Sequence, residues 1–445
     1  MASNIYSQVL EGQQLLPLAE TQGSMIVQSK EGASWRFDPE LLSLHVLALG
    51  SIGSGKTNLL YHIIKQILNN LHTENDIIIF FDAKGDFLKK FYRQGDYVIG
   101  NSQQYSRYNP VKWNLYRELT STNNVNREDT IREIATSLFS KRINSSKEPA
   151  FASGARDIFA ALIEAQMRNN ERGLNNAELK RMFRGLDVRG IKARINNYPD
   201  LNWINIYMHK EDSATTQSFL SPLNSVVNDV FTAHFAEAGN FSMREAVSRR
   251  GGKSIFLEYD IMNSNLIDTV YTVLLDIAGK TALGNEDENK HVYFILDEFP
   301  LIPKLNYIDG LLNFGRSRGV RVIAGIQNIN QIKSLYGDNL GSSILSGFST
   351  YIIFRLFDEE SRKLVSERHG KNRRLIMLPY DDVNRSGNQE HEHSSVIEDW
   401  DITSLQRGEC IISLPYGNPY KFYPASFTER PTIQIQRRYY RAQIN

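Results

Sequence analysis

The chain of 445 residues has one cysteine, Cys410. A single cysteine excludes an intramolecular disulfide framework and a Cys-rich zinc site, and its position in an apolar stretch marks it as a small core residue. Long hydrophobic runs are also missing. The longest, around Leu41–Leu49 and Ile77–Phe81, fall well below the ~20 apolar residues of a membrane helix. The N-terminus, MASNIYSQVLEGQQ, has no basic segment leading into an apolar one, so no signal peptide is expected and the chain reads as soluble and cytoplasmic. Charge of one sign is absent too: 51 Lys and Arg against 50 Asp and Glu leave a net +1. That excludes a protein holding a polyanion through overall charge, and any basic surface must be local. There are no internal repeats and no low-complexity tract.

What is present is an ordinary globular composition, 41% hydrophobic and 23% charged. At roughly 150 residues per domain the length allows two or three domains. Residues 1–40 are polar and mixed, with short-strand alternation near Ser24–Ser29 and Trp35–Phe37. Candidate strands then follow at Ser43–Leu49, Asp76–Asp82, Ser254–Tyr259, His291–Asp297, Val320–Gln327, Thr350–Phe357 and Cys410–Pro415. Several are continuous apolar runs, the pattern of strands buried on both faces. Helical patterns such as Thr57–Leu71, Asn265–Leu283 and Glu359–His369 lie between them. The alternation predicts an α/β fold with a mostly parallel sheet. Residues 125–235 break the rhythm with helical patterns alone, Arg156–Arg168 being the clearest, and predict an inserted helical subdomain. Lys371–Trp400, polar and containing His391-Glu-His393, reads as a long surface loop.

Residues Gly50, Ser51, Ile52, Gly53, Ser54, Gly55, Lys56 and Thr57 satisfy G-x-x-x-x-G-K-[ST] between an apolar strand and a helix. The glycines allow the backbone N–H groups to turn onto a phosphate at the positive end of the helix. Lys56 is placed to reach β- and γ-phosphates, and Thr57 to ligate Mg²⁺. The alternative is a Gly/Ser-rich turn without a ligand; strand, loop and helix in the required order weigh against it. Downstream, His291–Leu296 ends in Asp297-Glu298. Asp297 is the candidate Mg²⁺ ligand and Glu298 the group that orients or deprotonates water, unless both are solvated loop charges. This pair predicts an ATP hydrolase with ATP and Mg²⁺ as cofactors.

Further segments follow in a specific order. Asp297-Glu-Phe-Pro300 precedes Gly315-Arg-Ser-Arg-Gly319, the strand Val320–Gln327, Asn330-Gln331, Tyr336-Gly337, Ile344–Thr350 and Phe354-Arg355 with Asp358. Upstream stand Phe81–Asp86, Asn109-Pro110 and Gly154–Phe159. Together they resemble the TraD/TrwB-like coupling proteins of type IV secretion and conjugation, relatives of the FtsK/HerA DNA pumps, over residues 40–370. The resemblance implies a RecA-like P-loop motor domain, formed by residues 1–124 and 236–445, that assembles as a homo-hexameric ring with ATP between subunits. It implies that the 125–235 insertion is an all-α domain contacting DNA at the ring mouth. Arg316 matches the proposed arginine finger and Gln327 the γ-phosphate sensor; the structural alternatives are a solvated basic cluster and a strand-end cap. Arg355 within an apolar strand calls for a carboxylate or phosphate, or forms a structural ion pair. The resemblance departs at the N-terminus: typical members carry transmembrane helices there, and this chain shows none, so a separate membrane, relaxase or nuclease partner is expected.

Local basic surface exists. Lys180, Arg181, Arg184, Arg189, Lys192 and Arg194 place six cations in fifteen residues, either a grip on a phosphate backbone or a solvated helix face. Arg437-Arg-Tyr-Tyr-Arg441 joins cations to aromatics, as base-stacking surface or as a tail. Asp82, Lys84 and Asp86 follow a strand end, where they line a ligand path or form a turn. No nuclease constellation is present, since His391 and His393 lack the spacing of a zincin. The reading is a ring-forming ATPase that translocates DNA, in conjugation, mobilisation or anti-phage defence. The alternative is a nucleotide-state switch that gates a partner enzyme on sensing DNA.

Overall fold

The computed structural model describes residues 3–4, 25–32, 34–71, 74–101, 103–108, 110–120, 127–169, 173–259, 264–377 and 389–428. Its strands are β1 Ser3–Asn4, β2 Met25–Gln28, β3 Ser34–Phe37, β4 Val46–Leu49, β5 Asp76–Asp82, β6 Tyr97–Ile99 and β7 Lys253–Glu258. They continue with β8 His291–Leu296, β9 Val320–Ile326, β10 Thr350–Ile353, β11 Lys371–Met377, β12 Gln389–Ser395, β13 Cys410–Ser413 and β14 Tyr420–Phe422. Nine of them form one sheet in the order β14-β13-β10-β4-β9-β8-β5-β7-β6. From β10 to β6 every pairing is parallel, and β13 and β14 close one edge antiparallel.

The apolar runs become strands because both faces of the sheet are covered, so every residue of β4, β5 and β9 is buried. Alternate residues feed different cores: Leu47, Leu49, Ile77, Ile79 and Phe81 face one, Val46, Ala48, Ile78 and Phe80 the other. The helix Lys56–Asn70 lays Leu59, Leu60, Ile63, Ile64 and Ile67 into the second core, beside the β2–β3 hairpin. Helix Ser264–Leu283 packs on the opposite face, in the first core, which continues into the residues after 127.

Residues 127–236 hold helices and no strand among those described. Their entry and exit are tied together. Trp113 bridges Phe241 in parallel, and Glu118 accepts from Trp113 Nε1 (2.9 Å), Met243 N (2.6 Å) and Arg244 N (3.0 Å). The two chain ends of the helical stretch therefore leave the sheet side by side.

Two expectations need correction. Lys371–Trp400 is not a loop throughout: β11 and β12 pair antiparallel, registering Arg374 with Glu392, and Asp399–Thr403 is helical. Ladder hydrogen bonds are made by the backbone, so charged composition does not forbid the hairpin. Ser43 ends the short helix Pro39–Ser43, capped by Asp38, and the strand begins only at Val46. The short strands β1, β6 and β14 carry no strand pattern in the sequence. Asn109 and Arg437–Arg441 lie outside the described residues. No helix among the described residues is long and apolar enough to cross a membrane.

Candidate nucleotide site

Strand β4 ends at Leu49 beside β9 and β10, and these neighbours fix the loop that follows. Gly50 N donates to Ile326 O (3.2 Å), Ser51 N donates to Arg355 O (3.0 Å), and Gly408 N donates to Ser54 O (2.7 Å). Gly55 has φ +115°, and a Cβ there would stand 2.6 Å from the Gly408 Cα, so glycine is required for both torsion and space. The helix Lys56–Asn70 starts directly after it with no side-chain cap. Asn58 N donates to Gly55 O (3.1 Å), while the N–H groups of Lys56 and Thr57 have no partner among the described residues, as an anion site needs. Ile52 stands exposed at the loop tip.

Lys56 is only 6% exposed, and its Nζ donates to the Gly50 and Ser51 carbonyls. Burial lowers its pKa, while the charges of Glu298 and Asp297 oppose the shift. Asp297, at the end of β8, is 5% exposed and burial raises its pKa to about 6. Its carbonyl forces a second glycine, since a Cβ on Gly325 of β9 would lie 2.1 Å from Asp297 O. Close approach of β9 to the β8 end is thus built into the sequence. Thr57 and Asp297 offer a hydroxyl and a carboxylate, hard oxygen donors suited to Mg²⁺ completed by phosphate and water.

Glu298 lies between two partners. Gln327 Nε2 donates to its Oε2 (3.1 Å) and Lys84 Nζ approaches its Oε1 (3.5 Å). The structure places Lys56, Thr57, Lys84, Glu298 and Gln327 around one cleft of ≈ 740 Å³. Asp82 does not line it. Its carboxylate accepts from the amides of Lys84 (3.3 Å), Asp86 (3.2 Å) and Leu88 (2.9 Å), so it shapes the turn that presents Lys84.

The outer wall was missed from sequence. Arg407, Tyr423 and Lys30 line the same cleft. Lys30 Nζ sits 3.6 Å over the Tyr423 ring, and Tyr423 Oη donates to Arg407 O (3.1 Å). Ser29 bridges Pro424, and Asn58 Nδ2 donates to Ala425 O (3.0 Å). The β2–β3 hairpin and the segment after β14 are joined there. Arg355 lies past the end of β10 and forms no ion pair among the described residues; its Nε donates to Leu405 O (2.6 Å), supporting the loop that carries Arg407.

Arg316, Arg318 and Arg321 part company. Arg321 is buried and donates to Tyr293 Oη (2.7 Å), and Arg318 donates to Asn285 O (3.0 Å). Arg316 is exposed, and its side chain's one ion pair among the described residues is with the exposed Glu40, at 3.2 Å. It precedes β9, whose far end carries Gln327, and seven strand residues span about 20 Å. Arg316 is therefore remote from the cleft of its own chain.

In the basic cluster, Leu179, Phe183, Val188, Ile191 and Ile195 are buried, so the cations face outward on helices Asn176–Phe183 and Val188–Ile195. Arg181 pairs with Glu178 (3.4 Å) and Arg189 with Glu211 (2.8 Å). Lys180, Arg184, Lys192 and Arg194 have no carboxylate partner among the described residues, and Arg194 donates to Gly190 O (2.9 Å).

A parallel sheet with a glycine loop between a buried strand and a helix, and acids at a nearby strand end, defines a RecA-like P-loop fold. The family described as "Type IV secretion-system coupling protein DNA-binding domain" matches residues 33–422, and the chain belongs to it. It is 22% identical over 400 residues to coupling protein TraD of Escherichia coli (strain K12), covering 86% of this chain and 53% of TraD. The chain thus spans about half the length of that relative. An uncharacterized protein of Mycoplasma pneumoniae is 28% identical over 112 residues, covering 25% of this chain and 73% of its own. Among solved structures, the bacterial conjugative coupling protein TrwBdeltaN70 superposes with a TM-score of 0.75 at 16% identity, covering 95% of this chain and 94% of that one. TrwB in complex with ADP and Mg²⁺ gives 0.74 at 16% identity, with 95% and 94% covered. VirB4 of Thermoanaerobacter pseudethanolicus gives 0.54 at 12% identity, with 94% and 99% covered. The resemblance read from the sequence motifs is borne out.

Proposed function

We propose that the chain is the motor of a conjugative coupling protein, a cytoplasmic ring of six copies that hydrolyses ATP with Mg²⁺ and moves DNA through its centre. The observation that carries this reading is the convergence of Lys56, Thr57, Glu298 and Gln327 on one cleft, with Asp297 at the adjoining strand end. Residues 50–57 cradle the phosphates, Lys56 neutralises them, and Thr57 with Asp297 holds Mg²⁺, which supplies charge neutralisation at the transferred phosphoryl group. Glu298 takes the proton of the attacking water, and Gln327 registers the γ-phosphate.

Arg316 acts on a neighbour's nucleotide. Its distance from its own cleft supports this, as do exposed Phe314 beside it and exposed Ile52 at the loop, apolar groups that a subunit interface would cover. Residues 125–235 form an inserted all-α domain whose Lys180, Arg184, Lys192 and Arg194 meet the DNA backbone; residues 1–124 and 236–445 form the motor.

The test is ATP turnover with and without DNA, followed by displacement of a triplex strand. The motor predicts DNA-stimulated turnover and displacement. Stimulation without displacement favours a nucleotide-state switch, and turnover indifferent to DNA sinks both.

A further inference from the structure

A second cavity, of ≈ 440 Å³, lies away from the nucleotide cleft. Its walls come from four places: the helix Arg127–Ser145, the helix Met243–Arg249, the helix Ser264–Leu283 and the segment at Asn306-Tyr307. Its size suits a small ligand. The side chains of Ile134, Val273 and Ile277 supply an apolar wall.

The charged groups around it are nearly all accounted for. Asp276 accepts from Ser137 Oγ (2.8 Å), Asn306 N (2.9 Å) and Asn306 Nδ2 (2.7 Å). Glu133 pairs with Lys280, and Arg132 pairs with Glu128 (2.6 Å). Arg244 is different. It is 4% exposed, its Nε is buried without a hydrogen-bond partner, and its guanidinium meets no carboxylate among the described residues. Tyr307 lines the same cavity, where burial, with Glu133 and Asp276, raises its pKa and Arg244 opposes the shift. A guanidinium stays ionised at any working pH, and burying it unpaired carries a large desolvation cost. The same fork geometry binds carboxylate or phosphate in a bidentate manner.

We propose that this cavity binds a small amphipathic oxyanion, its carboxylate or phosphate on Arg244 and its apolar body against Ile134, Val273 and Ile277. The site joins the helical stretch to the segment that runs on from Glu298 through the turn Phe299–Leu301. Occupancy therefore bears on both at once, as an effector site does. The inference does not depend on the nucleotide reading.

Calorimetric titration of the full chain with phenyl phosphate tests it, in a Lys56→Ala background so that the glycine loop cannot account for uptake. Binding is expected, weakened at least tenfold by Arg244→Gln and by Thr136→Trp, which covers the mouth from an exposed position and keeps the test alive if Arg244→Gln fails to fold. Benzyl alcohol, equally apolar and uncharged, is expected to bind at least tenfold more weakly. The proposal is overturned if phenyl phosphate does not bind, if both variants bind it as the parent does, or if benzyl alcohol binds as well. It is also overturned if Arg244→Gln disperses an oligomer while the parent takes up no phenyl phosphate, because an acidic side chain of a second copy would then be the occupant.

Discussion

Gln327 donates a hydrogen bond of 3.1 Å to Glu298, joining the ends of the neighbouring strands β9 and β8. With Lys84 near the other carboxylate oxygen at 3.5 Å, Glu298 is held in one orientation by two partners. On the proposed function Glu298 is the base, and a base held this way would lose its chemistry when amidated and only its aim when a partner is removed. Glu298→Gln is expected to cut ATP turnover by roughly 10²-fold or more with nucleotide affinity retained. Gln327→Ala is expected to cost about tenfold, within the range for a misplaced catalytic group. Steady-state turnover alongside equilibrium nucleotide binding reads both; a Glu298→Gln protein that turns over at the parent rate removes Glu298 from the base role.

Glu258 ends β7 directly opposite Asp82 of β5 and is fully buried. Burial, reinforced by Asp82, pushes its pKa to about 9. Between the ordinary carboxylate value and pH 9 the folded chain keeps a proton that the unfolded chain has lost. Stability therefore falls as pH rises through that window. Glu258→Gln mimics the neutral acid, so its stability relative to the parent should improve by about 2 kcal/mol or more between pH 5 and pH 8. Denaturant midpoints at the two pH values measure this; an equal offset at both would show that the group does not titrate there.

His45 shows the opposite sign. It has φ +56°, accepts a hydrogen bond from Val322 N (3.1 Å) through Nδ1, and burial holds its pKa at about 4. The folded state thus excludes a proton that the unfolded state takes up near pH 6.5, and the stability present above that pH is lost as pH falls toward 4. His45→Asn suits the positive φ and keeps an acceptor. The parent should lose about 3 kcal/mol relative to this variant on acidification from pH 7 to pH 4. Parallel melting of the two proteins across that range reads the difference directly.

Legibility in the sequence followed how local each feature is. Residues 50–57 and 297–298 were readable because each motif is contiguous and sits where a strand ends. Lys84 stands at a strand end in the sequence, but its meeting with Glu298 depends on β5 and β8 being neighbours in the sheet, which no local pattern states. Arg407, Tyr423 and Lys30 were invisible because the wall they build joins the two ends of the chain through the Ser29–Pro424 bridge. The basic cluster is contiguous enough to stand out in the sequence, yet its partial neutralisation by Glu211 comes from outside the run. The β11–β12 hairpin was lost because its charged composition carries no apolar alternation, although the ladder itself needs only backbone groups.

Arg316 offers a prediction that only a head-to-tail assembly can satisfy. Its exposed contact with Glu40 at 3.2 Å is of the kind that contributes little and breaks easily. Its place at the amino end of β9 puts it out of reach of its own glycine loop. Lys56→Ala removes the phosphate group's partner and keeps the arginine; Arg316→Ala keeps the loop and removes the arginine. Each protein alone should be inactive. Mixed in equal amounts, about a quarter of head-to-tail interfaces pair an intact loop with an intact arginine, so turnover should reappear in the mixture. Recovery to that order, measured as ATP turnover against the sum of the separate proteins, assigns Arg316 to the neighbouring site. A mixture no more active than its parts, with oligomers of mixed composition verified by mass, leaves Arg316 without a role across the interface.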